Sequence, residues 1–198
     1  MSARIHLVAV ADRDSDRPGD AGVAGDAGDA GDEDDALDLD GLFDRYSGYV
    51  ARIGYRLLGR PEDVDDLVQD VFLDAHRSLG QVRDPAAIKG WLATIAVRRA
   101  RGMMRYRRLR TALRLDDDVT YGAAAMSVDP PDRLLVGTIY RCLDRMPVRD
   151  RMAWAVRYLM DEPLERVAEL CGCSLATAKR RIKAAQQRIM REVDDRDE

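Results

Sequence analysis

No apolar run of even ten residues occurs in the chain, so nothing in it is expected to span a bilayer, which takes about 20. Cysteine is scarce. Cys142, Cys171 and Cys173 give no even disulfide framework, and free thiols suit a reducing cytosol. The only histidines, His6 and His76, are too distant to complete a zinc site with them. There is no glycine-rich phosphate loop and no G-x-S-x-G elbow. Metal, nucleotide and serine-triad chemistry therefore lack their residues, and no cofactor, metal site or catalytic residue is expected. Met1–Ala11 holds a short apolar stretch with an Ala-Val-Ala, but it carries one arginine and about half the minimum length of a secretory signal. A cytoplasmic protein without membrane insertion is expected.

What is abundant is charge, unevenly spread. The 198 residues carry 32 Lys and Arg against 36 Asp and Glu. Residues 1–40 alone hold 12 acids and 3 bases, which leaves 24 acids and 29 bases for the remainder. An acidic arm on a basic body hints at a polyanionic partner. Within the arm Gly19, Gly22, Gly25, Gly28 and Gly31 recur every third position, among Asp, Ala and Val rather than Pro. Five such triplets do not make a collagen helix. With almost no large apolar groups to offset ordering entropy, residues 1–38 are expected to be a disordered acidic arm.

From about Leu39 the pattern turns helical. Leu42, Phe43, Tyr46, Val50, Ile53 and Leu57 make one stripe; Gly59 stops that helix and Pro61 starts another with Val64, Leu67, Val68, Val71, Phe72 and Ala75. Asp84-Pro85 reads as an N-cap and first helical position, followed by Ile88, Trp91, Leu92, Ile95 and Ala96. Periodicity lapses over 109–131, which reads as a flexible tether too long for a connection inside one domain. It returns at Asp132: a helix ending at Pro147, one over about Val148–Met160, one opened by Pro163, and one capped by Ser174 with Ala178, Ile182, Ala185 and Ile189 inward. The expected fold is all-α: two small helical domains, 39–108 and 132–193, joined by the linker 109–131.

Three charged constellations stand out. Leu164–Arg188 reads as a helix-turn-helix, with a turn at Gly172 and six bases but no acid between Lys179 and Arg191. Such a second helix fits the DNA major groove, its first residues on base edges and its cations on phosphates. An ordinary hairpin with a solvated basic face would show the same spacing, though seldom so one-sided a charge. Arg98–Arg114 holds eight arginines and no acid, with Tyr106 among them. This suits a phosphate track beside a stacking aromatic, or simply a solvated helix end. Glu62, Asp63, Asp65, Asp66, Asp70 and Asp74 lie on one helix with no base from Pro61 to His76. Their self-repulsion suggests a basic partner surface, against the plainer reading of a solvated face.

Particular motifs resemble a family. Leu42-Phe-Asp-Arg-Tyr46, Pro61-Glu-Asp-Val-Asp-Asp-Leu-Val-Gln-Asp-Val-Phe-Leu73 and Trp91-Leu-Ala-Thr-Ile-Ala96 are similar to region 2 of bacterial sigma-70 factors of the extracytoplasmic-function (ECF) group. Met146-Pro147 with Arg151, Arg166-Val-Ala-Glu169 and Thr177-Ala-Lys-Arg-Arg181 resemble region 4 of the same group. The resemblance covers about 42–108 and 133–193 and leaves the arm outside.

It implies a non-enzymatic factor that directs RNA polymerase to promoters, at the nucleoid. Its partners would be core polymerase, through the β′ and β subunits, promoter DNA and an anti-sigma factor. Asp63, Asp66, Gln69, Asp70 and Phe72 would bind core. Arg98, Arg101, Arg105, Tyr106 and Arg108 would hold the −10 element, with a flipped base. Ser174, Thr177, Lys179, Arg180, Arg181, Lys183 and Arg188 would meet the −35 element. Where the group usually has N-x-x-x-D after its W-L-x-x-I-A, this chain has Arg98 and Gly102. Asn donates and accepts; Arg only donates, so −10 preference or melting is expected to differ. Two other readings stay open: a helix-turn-helix regulator acting without polymerase, and a sigma-like interaction protein that no longer melts promoters.

Overall fold

The computed structural model describes residues 39–78, 84–113 and 130–197, and within these only helices and short turns occur. The acidic arm and most of the proposed tether lie outside the described residues.

Helix α1, Leu39–Leu58, buries Leu42, Val50, Ile53, Leu57 and Leu58. Gly59 ends it at φ +74°, a backbone state open to glycine. Helix α2, Pro61–Ser78, starts on a proline that loses no helical hydrogen bond there, and buries Val64, Leu67, Val71, Phe72 and Ala75. The two helices approach closely because Gly54 has no side chain. A Cβ there would sit 3.1 Å from Leu67 Cδ2 and 3.2 Å from Val64 Cγ1.

Asp84 then accepts from the Ala86 N–H at 2.9 Å and opens a 3-10 turn, Pro85–Ala87. Helix α3, Ile88–Ala112, follows without a break and lays Ile88, Leu92, Ile95, Ala96, Ala100 and Met104 across both α1 and α2. Trp91 packs at the edge of this core, partly buried. Each large aliphatic group fully removed from water contributes roughly 1.5–3 kcal/mol.

The second half is built from α4, Pro130–Arg145, α5, Val148–Tyr158, α6, Leu164–Leu170, and α7, Leu175–Asp197. α7 is the common support, against which α4, α5 and α6 all pack. Its inner face buries Ala178, Ile182, Ala185 and Ile189, as its spacing predicts. Trp154 is wholly buried on α5, and its indole N–H donates to Gln186 Oε1 of α7 at 2.6 Å.

Helix encroaches on the expected tether at both ends. α3 runs four residues past 108, and α4 begins at Pro130. The arginine-rich end of α3 has no apolar stripe to betray it. Proline in a first helical turn likewise marks a start, not a stop.

The two halves are also packed together, which a flexible tether did not suggest. Tyr140 of α4 donates its hydroxyl to the carbonyls of Tyr55 (3.3 Å) and Arg56 (3.0 Å). Its ring lies against Gly59, where a Cβ would come within 2.5 Å. Arg151 of α5, 3% exposed, donates to the carbonyls of Leu57 (2.9 Å) and Leu58 (3.2 Å) and pairs with Asp144. A helix end leaves carbonyls without intrahelical partners, and here two side chains of the other half satisfy those of α1. Burial pulls the Arg151 pKa down to about 9, which leaves it a cation at neutral pH; Arg107 and Arg60 press in the same direction. Burial likewise raises the Asp144 carboxyl, opposed by Arg107 and Arg60.

Candidate polymerase and promoter surfaces

The acidic helix α2 divides its charge between two sides. Glu62, Asp65 and Asp66 are exposed. The others turn toward α3. Asp74 is gripped by Arg99, whose Nε–H donates to Oδ2 at 2.6 Å while Nη2 contacts Oδ1. Arg99 also comes within 3.7 Å of Asp70. Asp63 pairs with Arg107. The Arg99 hydrogen bond holds the Asp74 carboxyl below the usual carboxylate range. Of the five residues expected to meet polymerase, Asp66 and Gln69 thus face outward. Asp63 and Asp70 have arginine neighbours, and Phe72 is 5% exposed.

Phe72 nonetheless lines an open apolar groove between α1 and α2, with Phe43, Val68, Gln69 and Leu73. Phe43 and Leu73 are 44% and 47% exposed, and the Phe43 and Phe72 rings meet edge-on at 4.9 Å. The periodicity of α1 assigned Phe43 to the inner stripe. It sits instead on the rim of a groove bordered by Asp65.

On α3 the arginines sort into three sets. Arg98 and Arg105 are exposed, as is Tyr106, over whose ring Arg110 lies 5.9 Å away. Arg99 and Arg107 face the acids of α2. Arg101 donates to the Cys171 carbonyl (3.3 Å) and Arg108 to the Met146 carbonyl (3.1 Å), both in the second half. Gly102 is exposed, and a side chain there would meet open space.

The helix-turn-helix is formed by α6, a turn and α7. Gly172 takes φ +59° in the turn, and the Cys173 N–H donates back to the Ala168 carbonyl at 2.9 Å. Ser174 caps α7: its Oγ accepts from the Thr177 N–H (3.3 Å) and donates to Thr177 Oγ1 (2.9 Å). Lys179, Arg180, Lys183 and Arg188 are exposed on the outer face, whereas Thr177 and Arg181 are half-buried. Burial raises the Cys171 thiol to about 11 and also raises Cys142. No cluster of His, Cys, Asp and Glu able to hold a metal occurs among the described residues.

A second open groove runs between α7 and the ends of α5 and α6, with Tyr158, Leu164, Ile182 and Met190 in its walls and Lys183 at its edge. Sequence reasoning missed it. Its signal is Met190, which continues the inner face of α7 past the last residue assigned to the core.

A sequence profile of Sigma-70 region 2 matches residues 42–110, and one of Sigma-70, region 4 matches residues 137–189. The chain belongs to the sigma-70 family, in its extracytoplasmic-function group. Curated relatives agree with this sigma factor over most of its helical body. The ECF sigma factor SigM of Mycobacterium tuberculosis is 29% identical over 152 residues, covering 77% of this chain and 75% of the relative. Sigma factor SigV of Bacillus subtilis is 29% identical over 134 residues, 68% of this chain and 78% of the relative. The ECF sigma-E factor of Escherichia coli is 28% identical over 155 residues, 73% and 81%. Among solved structures, the sigma factor RpoE of Bartonella quintana, crystallised with the anti-sigma factor NepR, superposes with a TM-score of 0.58 at 19% identity. It covers 79% of this chain and 96% of that one, a likeness of fold.

Region 2 of the sigma factor is therefore α1–α3 and region 4 lies within α4–α7, a family of transcription initiation factors rather than enzymes. No helix among its described residues is long and apolar enough to cross a membrane.

Proposed function

We propose that this sigma factor docks the α1–α2 groove and its acidic border on the β′ subunit of core polymerase. It holds the −10 element along the exposed side of α3, and sets α7 in the major groove at −35. Its site of action is then the nucleoid. The observation that carries this reading is the sorting of charge by face. Exposed acids flank the apolar groove of α2, while exposed cations without intervening acids cover the outer side of α7 and flank Tyr106 on α3. Acidic borders speed encounter with a basic partner, and basic helices draw in phosphate. A helix-turn-helix regulator working without polymerase leaves the groove idle. By analogy with RpoE and NepR, the free protein pairs with an anti-sigma factor that competes for these surfaces.

The test is run-off transcription with core polymerase on a promoter library. Sequence-selective transcripts support the assignment, and transcripts no different from core alone refute it. One feature favours a second reading, a sigma-like protein that binds core without opening DNA: Arg98 and Gly102 replace a residue pair usual in the group. Transcription from a pre-opened bubble but not from duplex would establish that reading.

A further inference from the structure

Cys171 and Cys173 flank the glycine at the turn of the helix-turn-helix. Helix α6 ends there in a Schellman motif: the Gly172 N–H donates to the Glu169 carbonyl (3.0 Å) and the Cys173 N–H to the Ala168 carbonyl (2.9 Å). Between the two cysteines Gly172 holds the left-handed state, φ +59°. A residue of helical pitch, of either hand, separates its neighbours' Cα atoms by about 5.4 Å. The left-handed one also turns the neighbouring side chains to the same side, and standard bond geometry then puts the Cβ atoms of Cys171 and Cys173 about 4.5 Å apart. A disulfide takes Cα separations of about 4.4–6.8 Å and Cβ separations of about 3.5–4.5 Å. The motif that ends α6 is thus already shaped for a bridge.

The two thiols are unequally placed. Cys173 is half-buried at the edge of the core, whereas Cys171 is 5% exposed. Burial raises the Cys171 thiol to about 11, and Cys173 beside it pushes the same way, against Arg181 and Arg101. Cys173 is therefore the thiol that a reagent reaches first, and Cys171 the one that follows. Cys142 is buried on α4 and takes no part in the turn.

We propose that Cys171 and Cys173 form a reversible two-electron redox site, which takes low-molecular-weight disulfides as oxidants and sets the affinity of the −35 helix. The Cys173 thiolate attacks one sulfur of the small disulfide, forms a mixed disulfide and expels one thiolate. Cys171 loses its proton to solvent and attacks Cys173 Sγ; the bridge forms and the second small thiolate leaves. The protein has given up two electrons and two protons, and the small disulfide has become two thiols. Burial of Cys171 makes the second step the slow one. A bridge across a single residue closes a small, strained ring, and strained disulfides are the ones that thiols reduce readily. Closure draws the Cβ atoms from about 4.5 to about 3.8 Å. Cys173 moves, and with it Ser174, whose Oγ accepts from the Thr177 N–H at 3.3 Å and caps α7. Loss of such a cap shifts an equilibrium about fivefold. The effect on DNA rests on the −35 reading of α7 made above; the bridge does not.

The test uses the full chain, first reduced, then held with oxidised glutathione and freed of reagent. Thiols are counted in denaturant, the intact mass is measured, and binding to a −35 duplex selected from a random library is followed by fluorescence anisotropy before oxidation, after it, and after dithiothreitol. The wild type is expected to fall from three free thiols to one without keeping a glutathione adduct. It should bind the duplex about fivefold more weakly and recover on reduction. Cys171→Ala, which keeps the core apolar, is expected to stop at a glutathione adduct on Cys173. Cys173→Ser is expected to keep both of its remaining thiols. Three surviving thiols, or a stable adduct on the wild type, overturns the bridge. A wild type that bridges with unchanged affinity overturns the link to α7. Failure of the reduced wild type to select any duplex refutes the −35 reading and, with it, the effect on DNA, while thiol count and mass still decide the bridge.

Discussion

Lys183 and Arg181, two residues apart on α7, should fail in different ways when removed. Lys183 is exposed with Lys179, Arg180 and Arg188, whereas Arg181 is half-buried. If the four exposed cations each meet a phosphate, the slope of log affinity against log salt is about −3.6. Raising salt from 50 to 200 mM would then weaken binding ~150-fold. Lys183→Ala removes one contact, which lowers the slope to about −2.7 and the loss to ~40-fold, equally on every sequence. Arg181→Ala should keep the steeper slope but cost ~1–3 kcal/mol of discrimination at one base position. Fluorescence anisotropy with a −35 duplex library at the two salt concentrations separates the two. A wild-type slope for Lys183→Ala would show that this lysine serves the apolar groove it borders rather than the DNA. Identical losses for both variants on all sequences would reduce α7 to a basic helix that neutralises phosphate without reading bases.

The acids of α2 should divide in the same manner. Asp66→Arg is expected to weaken competition for core polymerase with an unchanged thermal midpoint. Asp74→Asn loses its partly exposed pair with Arg99, about 0.5–1 kcal/mol after solvent screening, which lowers the midpoint by roughly 1–4 °C. Because the Asp74 pKa is depressed by folding, that stabilisation is present at neutral pH and fades as pH falls below about 4, where the chain gains protons on unfolding. Melting curves at pH 7 and pH 3.5 should therefore show the Asp74→Asn gap closing; a gap of constant size contradicts the ion-pair origin. Among the thiols, Cys173 should react with a disulfide reagent well before Cys171. A thiol pKa of about 11 leaves roughly 0.1% thiolate at pH 8, and Cys171 and Cys142 are buried as well. More than one fast thiol in the folded protein would refute this.

Much of the architecture is legible in one dimension because apolar spacing, caps and breakers are local properties. The stripe Val64–Leu67–Val71–Ala75 and the run Ala178–Ile182–Ala185–Ile189 are buried as spaced. Gly59 and Gly172 turn the chain where helices had to end. What the sequence leaves unread shares a cause: each feature depends on a partner distant in sequence. The expected −10 set leaves out Arg99 and Arg107, but nothing local tells that these two face carboxylates on α2. Phe43 satisfies the helical period but meets only the edge of the Phe72 ring and stays 44% exposed at the rim of a groove. Arg151 belongs to a recognisable motif, yet its hydrogen bonds end 93 and 94 residues away, on carbonyls that no side-chain pattern encodes.

Gly59 and the ring of Tyr140 have a consequence for other chains of this plan. The glycine is required twice over, once by its positive φ in the α1–α2 turn and once by the ring that occupies the space of its missing side chain. An asparagine could meet the first demand, but not the second. Positions 59 and 140 should therefore covary across an alignment: glycine opposite an aromatic ring in chains that close, and larger turn residues opposite small ones in chains that do not. Two columns, far apart in sequence and in different domains, would sort sigma factors by resting shape before any of them is purified.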